Sequence, residues 1–353
     1  MKILFVKLGA IGDIVHTLPT LSAVRTAMPD AHISWAVERR SAEILRGNPL
    51  IDELIEIDTK SIRQRQPVDE LLGEIRTQAK GLRGRKYDVA IDFQGLLKSA
   101  AVAKLSGARR RFGFARKALR EPASRFLLTD TVEVASDFHV IRKNLTLASA
   151  SLGIAVPDNS FEFPIATVVE HVREAEETIA RVGPKYAILN PGGGWATKLW
   201  PAENFGGLAH QLWERNRIAS VISVGPKEGH LADRALERAG TARVAVASLS
   251  LKGFFELSKQ ASLYVGGDTG PTHLAVAAGT PVVGLFGPTE WWRNGSPNPR
   301  DICVERLDIG CRTDCHRRRC SAWICMDVPV ETVARAATLR LGLAAPASVE
   351  LAV

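Results

Sequence analysis

The sequence repeats one local pattern in both of its halves: a short apolar run, a glycine-containing turn, and then a stretch with helical spacing. In the first half Lys2–Leu8 is followed by Gly9–Asp13, and in the second half Tyr186–Leu189 is followed by Gly192–Gly194. More apolar runs then alternate with helical stretches. The further strands predicted include Glu53–Ile57, Leu263–Val265 and Val282–Phe286. Helices are predicted over Ile14–Ala27, where Pro19 must kink the helix or mark a second start, and from Pro201 onward. Strands that alternate with helices pair in parallel, because each helix returns the chain to the same edge of the sheet. The pattern predicts an α/β fold with doubly wound parallel sheets.

The chain has 353 residues, more than the roughly 250–300 residues that one hydrophobic core commonly serves. We therefore predict two domains, residues 1–160 and residues 161–353, the second closed by a helix over Glu331–Leu341. Val156–Lys185 contains three prolines around an acidic helical stretch. We interpret it as the linker region.

Bulk composition places the chain among folded, water-exposed proteins. Hydrophobic residues make up 46% and charged residues 24%, which is ordinary for a globular protein. No apolar run reaches the length of about 18–20 residues that a membrane span needs, and the first one is too short for a signal peptide. We expect a cytoplasmic protein.

Positive charge is concentrated in the first half. The net charge is +8, and the stretch from Gly107 to Arg125 holds seven Lys or Arg residues and one acid. A second basic cluster contains Lys60, Arg63, Arg65, Arg76, Lys80, Arg83, Arg85 and Lys86. Such clusters suit a nucleotide, a nucleic acid or an anionic membrane, although they also occur as plain solvated surface.

The stretch Gly266–Leu274, which reads GGDTGPTHL, follows a predicted strand and opens a helix. Free backbone N–H groups and the positive end of the helix dipole favour a phosphate there. Its glycines let the backbone approach a ligand closely. The alternative is a tight turn in which Asp268 or Thr269 caps the helix.

Two other turns carry polar groups. Asn190–Pro201 reads NPGGGWATKLWP, where Lys198 supplies a charge for a diphosphate and Thr197 a hydroxyl; an exposed lysine is the alternative. Gly9–Asp13 lacks the G-x-G-x-x-G spacing of a dinucleotide site. Asp13 could accept a proton from a substrate hydroxyl, or it could serve as a plain N-cap.

The five cysteines are Cys303, Cys311, Cys315, Cys320 and Cys325. An odd number without a secretion signal argues against a disulfide framework. Their spacing permits a structural metal but is not diagnostic of one. We favour buried thiols that pack a loop, and the sequence assigns them no chemistry.

Taken together, five segments resemble glycosyltransferase family 9, the ADP-heptose:lipopolysaccharide heptosyltransferases. They read KLGAIGDIVHTLPTL at 7–21, DFQGLLKSA at 92–100, REPASRF at 120–126, GGWATKLWP at 193–201 and GGDTGPTHLAVAAGTPVVGLFGPT at 266–289. The second and third segments look more like the first heptosyltransferase, which acts on the Kdo sugar of lipid A, than like the second.

The resemblance implies a GT-B fold, in which an N-terminal acceptor domain and a C-terminal donor domain, both Rossmann-like, face each other across a cleft. It implies an inverting, metal-independent transfer of heptose from ADP-heptose to Kdo-lipid A, without a cofactor. Asp13 matches the general base, and Gly12, Lys98 and Arg120 match the acceptor side. The expected donor-binding residues are Gly193, Gly194, Thr197, Lys198, Glu228, Asp268, Thr269, Gly270 and His273.

Because Asp268 would be repelled by a diphosphate, we expect it to bind sugar hydroxyls. The basic clusters would then contact the anionic acceptor and the cytoplasmic face of the inner membrane, with no nucleic acid as partner. Other hypotheses are a different family 9 transferase, a nicotinamide-dependent oxidoreductase, and a basic nucleic-acid-binding protein with a Cys-cluster metal. The oxidoreductase lacks its fingerprint and the last lacks a recognition module. The sequence does not indicate the oligomeric state.

Overall fold

The computed structural model describes residues 1–58, 80–311, 315 and 317–343. The chain divides into two compact units, Met1–Ala166 and Thr167–Val353. Four basic residues of the second cluster, Lys60, Arg63, Arg65 and Arg76, lie outside the described residues, as does the tail from residue 344. Among the described helices, none has the length and apolar character needed to span a membrane.

The first unit holds a six-stranded parallel sheet. Its strands are β1 (Lys2–Val6), β2 (His32–Glu38), β3 (Glu53–Ile57), β4 (Val89–Asp92), β5 (Arg110–Phe114) and β6 (Asp130–Val132). Its labelled helices are α1 (Ile11–Val15), α2 (Leu18–Ala27), α3 (Leu97–Leu105) and α4 (Val140–Leu152). Three 3₁₀ helices cover Arg39–Leu45, Arg116–Ala118 and Pro122–Leu127, and residues 80–84 are also helical.

The second unit also holds a six-stranded parallel sheet. Its strands are β7 (Tyr186–Asn190), β8 (Ala219–Ser223), β9 (Val244–Ala247), β10 (Leu263–Gly267), β11 (Val282–Phe286) and β12 (Ile302–Glu305). Its labelled helices are α5 (Val169–Val182), α6 (Ala202–Asn216), α7 (Gly229–Leu236), α8 (Leu251–Gln260), α9 (Gly270–Ala277), α10 (Trp291–Asn294) and α11 (Val330–Arg340). Short 3₁₀ helices cover Ala196–Lys198 and Ile324–Met326.

Both sheets have the same strand order. The first runs β3-β2-β1-β4-β5-β6 and the second runs β12-β11-β10-β7-β8-β9. In each sheet the order in which strands are added changes direction beside the first strand of the unit, between β1 and β4 and between β7 and β10. Ligands of such sheets bind at this switch point, beyond the carboxyl ends of the strands. The Rossmann-like, doubly wound prediction is confirmed. The expected ligand sites are therefore the loops after β1 and β4 in the first unit and after β7 and β10 in the second.

Several element boundaries differ from the sequence-based prediction. In the stretch predicted as helical from Ile14, Pro19 was expected to kink the helix or to mark a second helix start. The second option is confirmed, since Pro19 is the second residue of α2. Strand β10 continues through Gly267, so two of the turn glycines belong to the strand. Pro201 directly precedes α6 instead of opening it. Strands β5, β6, β9 and β12 and helices α4, α7, α8 and α10 were not predicted. Helices α7 and α8 are amphipathic, so helical periodicity could have revealed them.

The stretch interpreted as a linker is largely structured. Helix α5 belongs to the second unit and packs against α8. Its Glu174 accepts hydrogen bonds from the backbone N–H and the hydroxyl of Ser250, both at 2.9 Å. The division between the units follows Ala166, whereas we expected it after residue 160.

Asp92 ends β4 and is completely buried at the switch point of the first sheet. Its carboxylate accepts hydrogen bonds from the N–H groups of Gln94 (2.9 Å) and Gly95 (3.2 Å) and from the hydroxyl of Ser99 (3.0 Å). Burial raises the pKa of Asp92 to about 6, although these hydrogen bonds and the charge of Lys7 oppose the rise.

We expect Asp92→Asn to remove one pH-dependent contribution to stability. The unfolded chain loses the Asp92 proton near pH ~3.9, whereas the folded chain keeps it up to pH of about 6. Between these values the folded state binds more protons, so the free energy of unfolding falls by about 3 kcal/mol as the pH rises. Chemical denaturation at pH 4 to 7 should show a smaller fall in the variant. Asp88→Asn, at the other end of β4, is the control; parallel curves for the wild type and Asp92→Asn would contradict the prediction.

Candidate active site

In the second unit, the loop after β7 and the turn after β10 touch each other through glycines. A Cβ on Gly267 would lie 2.5 Å from the carbonyl oxygen of Lys198, and a Cβ on Gly193 would lie 2.5 Å from Cγ2 of Thr269. Real side chains do not tolerate such distances, so both positions require glycine. The two segments that the sequence singled out in this half therefore form one continuous surface.

A buried carboxylate, Asp268, lies at the centre of this surface with its side chain 4% exposed. Its Oδ2 pairs with the ammonium group of Lys198. Its Oδ1 accepts a hydrogen bond from Nδ2 of Asn294 at 2.7 Å and lies 3.2 Å from Nε2 of His273. The carboxylate is therefore surrounded by three side chains drawn from the β7 loop, α9 and α10.

The electrostatics of Asp268 favour a permanently ionised anchor. Burial alone raises its pKa, but the hydrogen bond and charge of His273 and the charge of Lys198 outweigh burial and hold the pKa well below its usual range. Both carboxylate oxygens are occupied by these partners. In this structure Asp268 positions Lys198, and its expected contact with sugar hydroxyls stays a prediction.

Lys198 is also held from a second side by an aromatic ring. Its Nζ lies 4.4 Å from the ring centroid of Trp195, and the guanidinium carbon of Arg318 lies 4.7 Å from the same centroid. Cations gain electrostatic attraction from an indole face at such distances. The site thus brings two cations to one aromatic side chain.

The segment that carries Arg318 is hydrogen-bonded to the β7 loop through Thr197. The Thr197 hydroxyl donates to the carbonyl of Arg317 at 2.7 Å, and its carbonyl accepts from the indole N–H of Trp323 at 3.0 Å. Thr197 is buried. In this structure its hydroxyl holds the later loop in place, and its contact with a donor stays a prediction.

Glu228 joins two further loops of the second sheet. It lies at the residue before α7, and its carboxylate accepts hydrogen bonds from the N–H of Gly193 at 3.2 Å and of Gly225 at 2.8 Å. A Cβ on Gly192 would collide with this carboxylate. Gly194 is exposed in the same loop, and Gly270 is the first residue of α9.

In the first unit, Asp13 is the third residue of α1 and is half-buried. Its Oδ2 accepts a hydrogen bond from the N–H of Ala10 at 3.0 Å. The N-cap is Ala10, so the interpretation of Asp13 as a plain N-cap is corrected: its carboxylate reaches back to the cap from inside the helix. Gly12, its neighbour, is buried.

The loops after β1 and β4 are tied together beside Asp13. The side-chain amide of Gln94 accepts from the N–H of Leu8 (3.0 Å) and Gly9 (3.3 Å) and donates to the carbonyl of Gly9 (2.5 Å). This bridge spans the switch point of the first sheet. Nothing in the sequence distinguished Gln94 from other turn residues.

The two basic residues expected on the acceptor side, Lys98 and Arg120, differ in their exposure and in their neighbours. Nζ of Lys98 donates to Oε1 of Glu38 at 2.6 Å, and Glu38 is only 3% exposed. Arg40 holds the other oxygen of Glu38 at 2.6 Å. Arg120 is exposed, beside Glu121, whose carboxylate accepts from the N–H of Leu97 at 2.7 Å.

The cysteines are not the buried thiols that we expected. Cys311 and Cys320 are exposed, and Cys303, Cys315 and Cys325 are of intermediate exposure. All five are free. Packing alone does not account for exposed thiols.

Comparison with known proteins places this arrangement in a family. Residues 75–323 match glycosyltransferase family 9 (heptosyltransferase). Lipopolysaccharide heptosyltransferase 1 of Pseudomonas aeruginosa is 31% identical over 295 residues, which cover 82% of this chain and 79% of that protein.

Solved structures agree in fold. Escherichia coli heptosyltransferase WaaC with ADP-2-deoxy-2-fluoro heptose is 25% identical with a TM-score of 0.71, covering 86% of this chain and 93% of that one. E. coli ADP-heptose lps heptosyltransferase II is 19% identical with a TM-score of 0.75, covering 97% and 98%. These neighbours have the GT-B fold, as predicted. The family match and the shared fold together show that the chain is a glycosyltransferase and belongs to family 9.

Proposed function

We propose that this chain transfers heptose from ADP-heptose to the Kdo of the lipopolysaccharide inner core, with inversion and without a catalytic metal. The observation that carries the proposal is the buried Asp268, which fixes Lys198 next to the start of α9. Similarity to lipopolysaccharide heptosyltransferase 1 and to a structure containing an ADP-heptose analogue supports the choice of donor. The N-terminal unit is proposed to bind the acceptor and the C-terminal unit the nucleotide sugar.

The donor diphosphate would be held by fixed positive groups. Thr269 caps α9 in extended conformation and Gly270 begins it, so the first N–H groups of the helix lack partners within it and carry its positive partial charge. Lys198 adds a full charge that Asp268 keeps in place. Such preorganised groups stabilise charge on a leaving ADP without reorganisation. The proposed donor set is completed by Gly193, Gly194, Thr197, Glu228, Asp268 and His273.

The acceptor hydroxyl would attack the anomeric carbon from the face opposite the ADP. Asp13 takes the hydroxyl proton as the new C–O bond forms, and the ADP oxygen leaves with the electron pair of the broken bond. Gly12, Lys98 and Arg120 are the proposed acceptor contacts. Since Lys98 is already paired with Glu38, an anionic acceptor would have to compete with that carboxylate or share the lysine.

The reaction is tested by mass spectrometry of the products formed from ADP-heptose and Kdo-lipid A, with ADP release followed in parallel. We expect one heptose added per acceptor, an inverted anomeric centre by NMR, and an unchanged rate when divalent cations are omitted from the assay. ADP release without a heptosylated acceptor, or transfer only from another nucleotide sugar, would refute the proposal.

Arg318 is a further proposed donor contact. We expect Arg318→Ala to raise the donor KM by about 3- to 10-fold, because one of the two cations at Trp195 is lost. Arg319→Ala, an exposed neighbour, is the control. The measurement is steady-state ADP release at varied donor concentration. Equal KM values for the two variants would remove Arg318 from the donor site.

A membrane-facing surface is proposed on the first unit. Phe126 is 73% exposed, and the guanidinium of Arg125 lies 4.7 Å from its ring centroid. The 3₁₀ helices on either side of Arg120 contact each other, and the first of them exposes Arg116 and Lys117. An exposed aromatic ring among cations suits the interface of an anionic bilayer.

We expect the protein to float with vesicles containing anionic lipids at low salt and to be released as ionic strength rises. The double variant Arg116→Glu/Lys117→Glu should bind less, because like charges then face the lipid. Vesicles of neutral lipid are the control. Flotation that does not depend on anionic lipid, or none at low salt, would exclude a peripheral association of this kind.

A further inference from the structure

Four of the five cysteines line one small cavity in the second unit. Cys311, Cys315, Cys320 and Cys325 surround a space of about 20 Å³, which is room for roughly one water-sized particle. The four side chains thus share one space. Cys303, on β12, does not line this cavity.

The rest of the cavity wall is mainly apolar. Besides the thiols it includes Gly287, Pro288, Ala322, Trp323 and Ile324. Two polar residues also line it, Thr197 and Arg317, and the hydroxyl of Thr197 donates to the carbonyl of Arg317. An ordered water needs two to four polar partners, and thiols are weak donors and acceptors. Thiolates are, in contrast, strong ligands for soft cations. This wall would therefore stabilise a thiophilic metal ion better than a water molecule.

We propose that Cys311, Cys315, Cys320 and Cys325 bind one divalent cation, Zn²⁺ or Fe²⁺, as a structural tetrathiolate site. Zn²⁺ and Fe²⁺ both accept four cysteine ligands in tetrahedral geometry. Binding converts four thiols and the cation into a complex of charge −2 and releases four protons. The site needs no oxidant, and it takes no part in the bond changes of the transfer reaction.

The ion must draw the thiols together. In the described ranges, no three Cys, His, Asp or Glu side chains stand at the spacing of a metal site, whereas metal–sulfur bonds of about 2.3 Å require the sulfurs to approach one another. The movement is feasible because Cys311 and Cys320 are exposed loop residues. Gly287 leaves space for it, since a Cβ there would lie 3.0 Å from the sulfur of Cys325.

The surroundings of the cavity suit a negatively charged complex. Three arginines, Arg317 to Arg319, immediately precede Cys320, and the backbone N–H groups of Ala322 and Trp323 donate hydrogen bonds to its sulfur. Cationic side chains and N–H donors both stabilise a complex that carries negative charge.

The site would fasten the loop that meets the donor-binding surface. Thr197 lines the cavity and also accepts and donates the hydrogen bonds that hold Trp323 and Arg317. A bound ion would therefore fix the position of Arg318 over Trp195. The metal site stands independently of the proposed reaction; only this effect on the donor rests on it.

The test is the metal content of the full-length protein, purified without chelators and measured by inductively coupled plasma mass spectrometry. We expect about one Zn or Fe per chain in the wild type and in Cys303→Ser, the matched control. Cys320→Ser and Cys325→Ser should bind the ion about tenfold or more weakly. Co²⁺ added to protein stripped of metal should give the visible absorption of tetrahedral thiolate coordination, and Cys303→Ser should retain it.

If a cysteine variant fails to fold, the metal site is tested on the wild-type protein instead. Titration with an organomercurial that blocks thiols should release one equivalent of Zn²⁺ or Fe²⁺, detected by a chromogenic chelator, as four thiols react. Protein that holds no metal and gains no cobalt–thiolate absorption would overturn the proposal. An intact mass showing disulfides in place of bound metal would overturn it as well. Loss of metal binding in Cys303→Ser equal to that in Cys320→Ser would assign the effect to folding and refute the four-thiol site.

Discussion

Replacement of Asp13 by asparagine should lower kcat by about 10²- to 10⁴-fold, the usual contribution of a general base. The structure indicates that this substitution should leave the local backbone unchanged. The asparagine oxygen can keep the 3.0 Å hydrogen bond from the N–H of Ala10, so the start of α1 should remain intact. What is lost is the ability to accept a proton from the acceptor hydroxyl.

The measurement is ADP release and acceptor glycosylation at saturating substrates, with the donor KM determined separately. A donor KM within about twofold of the wild type would show that the donor site is unaffected, because uniform binding effects appear in KM and base catalysis appears in kcat. Asp30→Asn, an exposed acid beyond α2, is the control. Near-normal turnover of Asp13→Asn would exclude Asp13 as the base.

Removal of Lys198 should have the second large effect, because it should lower both the catalytic efficiency with the donor and the stability of the fold. Lys198→Ala should reduce kcat/KM for the donor by about 10²- to 10³-fold, the scale seen when one preorganised charge-stabilising group is lost. It should also destabilise the fold by about 3–5 kcal/mol, because the carboxylate of Asp268 loses its ion partner inside the protein. The lysine side chain is 14% exposed and the aspartate side chain 4%, so water would replace the lysine poorly.

A second variant separates the two effects. Lys198→Ala/Asp268→Asn removes the orphaned charge, so the thermal stability should recover much of its loss while the activity stays low. Lys185→Ala, an exposed lysine of the same unit, controls for the loss of one positive charge. If the single variant keeps both its stability and its donor kinetics, then neither the buried pair nor the phosphate contact is as we propose.

Local sequence was enough where a strand is a short run rich in isoleucine, leucine and valine. Glu53–Ile57 and Val282–Phe286 were predicted with the bounds that the structure has. Strand β5 begins with two arginines, and β6 has three residues. Their strand character comes from pairing with neighbours, which a window of sequence does not contain.

The candidate site also depends on contacts that a window of local sequence does not contain. The pairing of Lys198 with Asp268 joins residues 70 positions apart, and the contact of Arg318 with Trp195 joins two distant loops. Motifs identified Lys198 and Asp268 separately but did not reveal that the two side chains form an ion pair. Asn294, which lies 26 residues beyond Asp268 and donates to it, carries no local signal. The roles of the individual site residues remain predictions for the variants above.

The glycine contact between the β7 loop and the β10 turn also bears on how such enzymes could be re-engineered. At Gly193 and Gly267 the two segments meet backbone to backbone or backbone to methyl, with no room for a side chain. A loop taken from a relative would therefore import a surface shaped for another turn. Exchanging donor preference between transferases of this kind calls for transplanting both segments as one module, together with the strands that set their spacing.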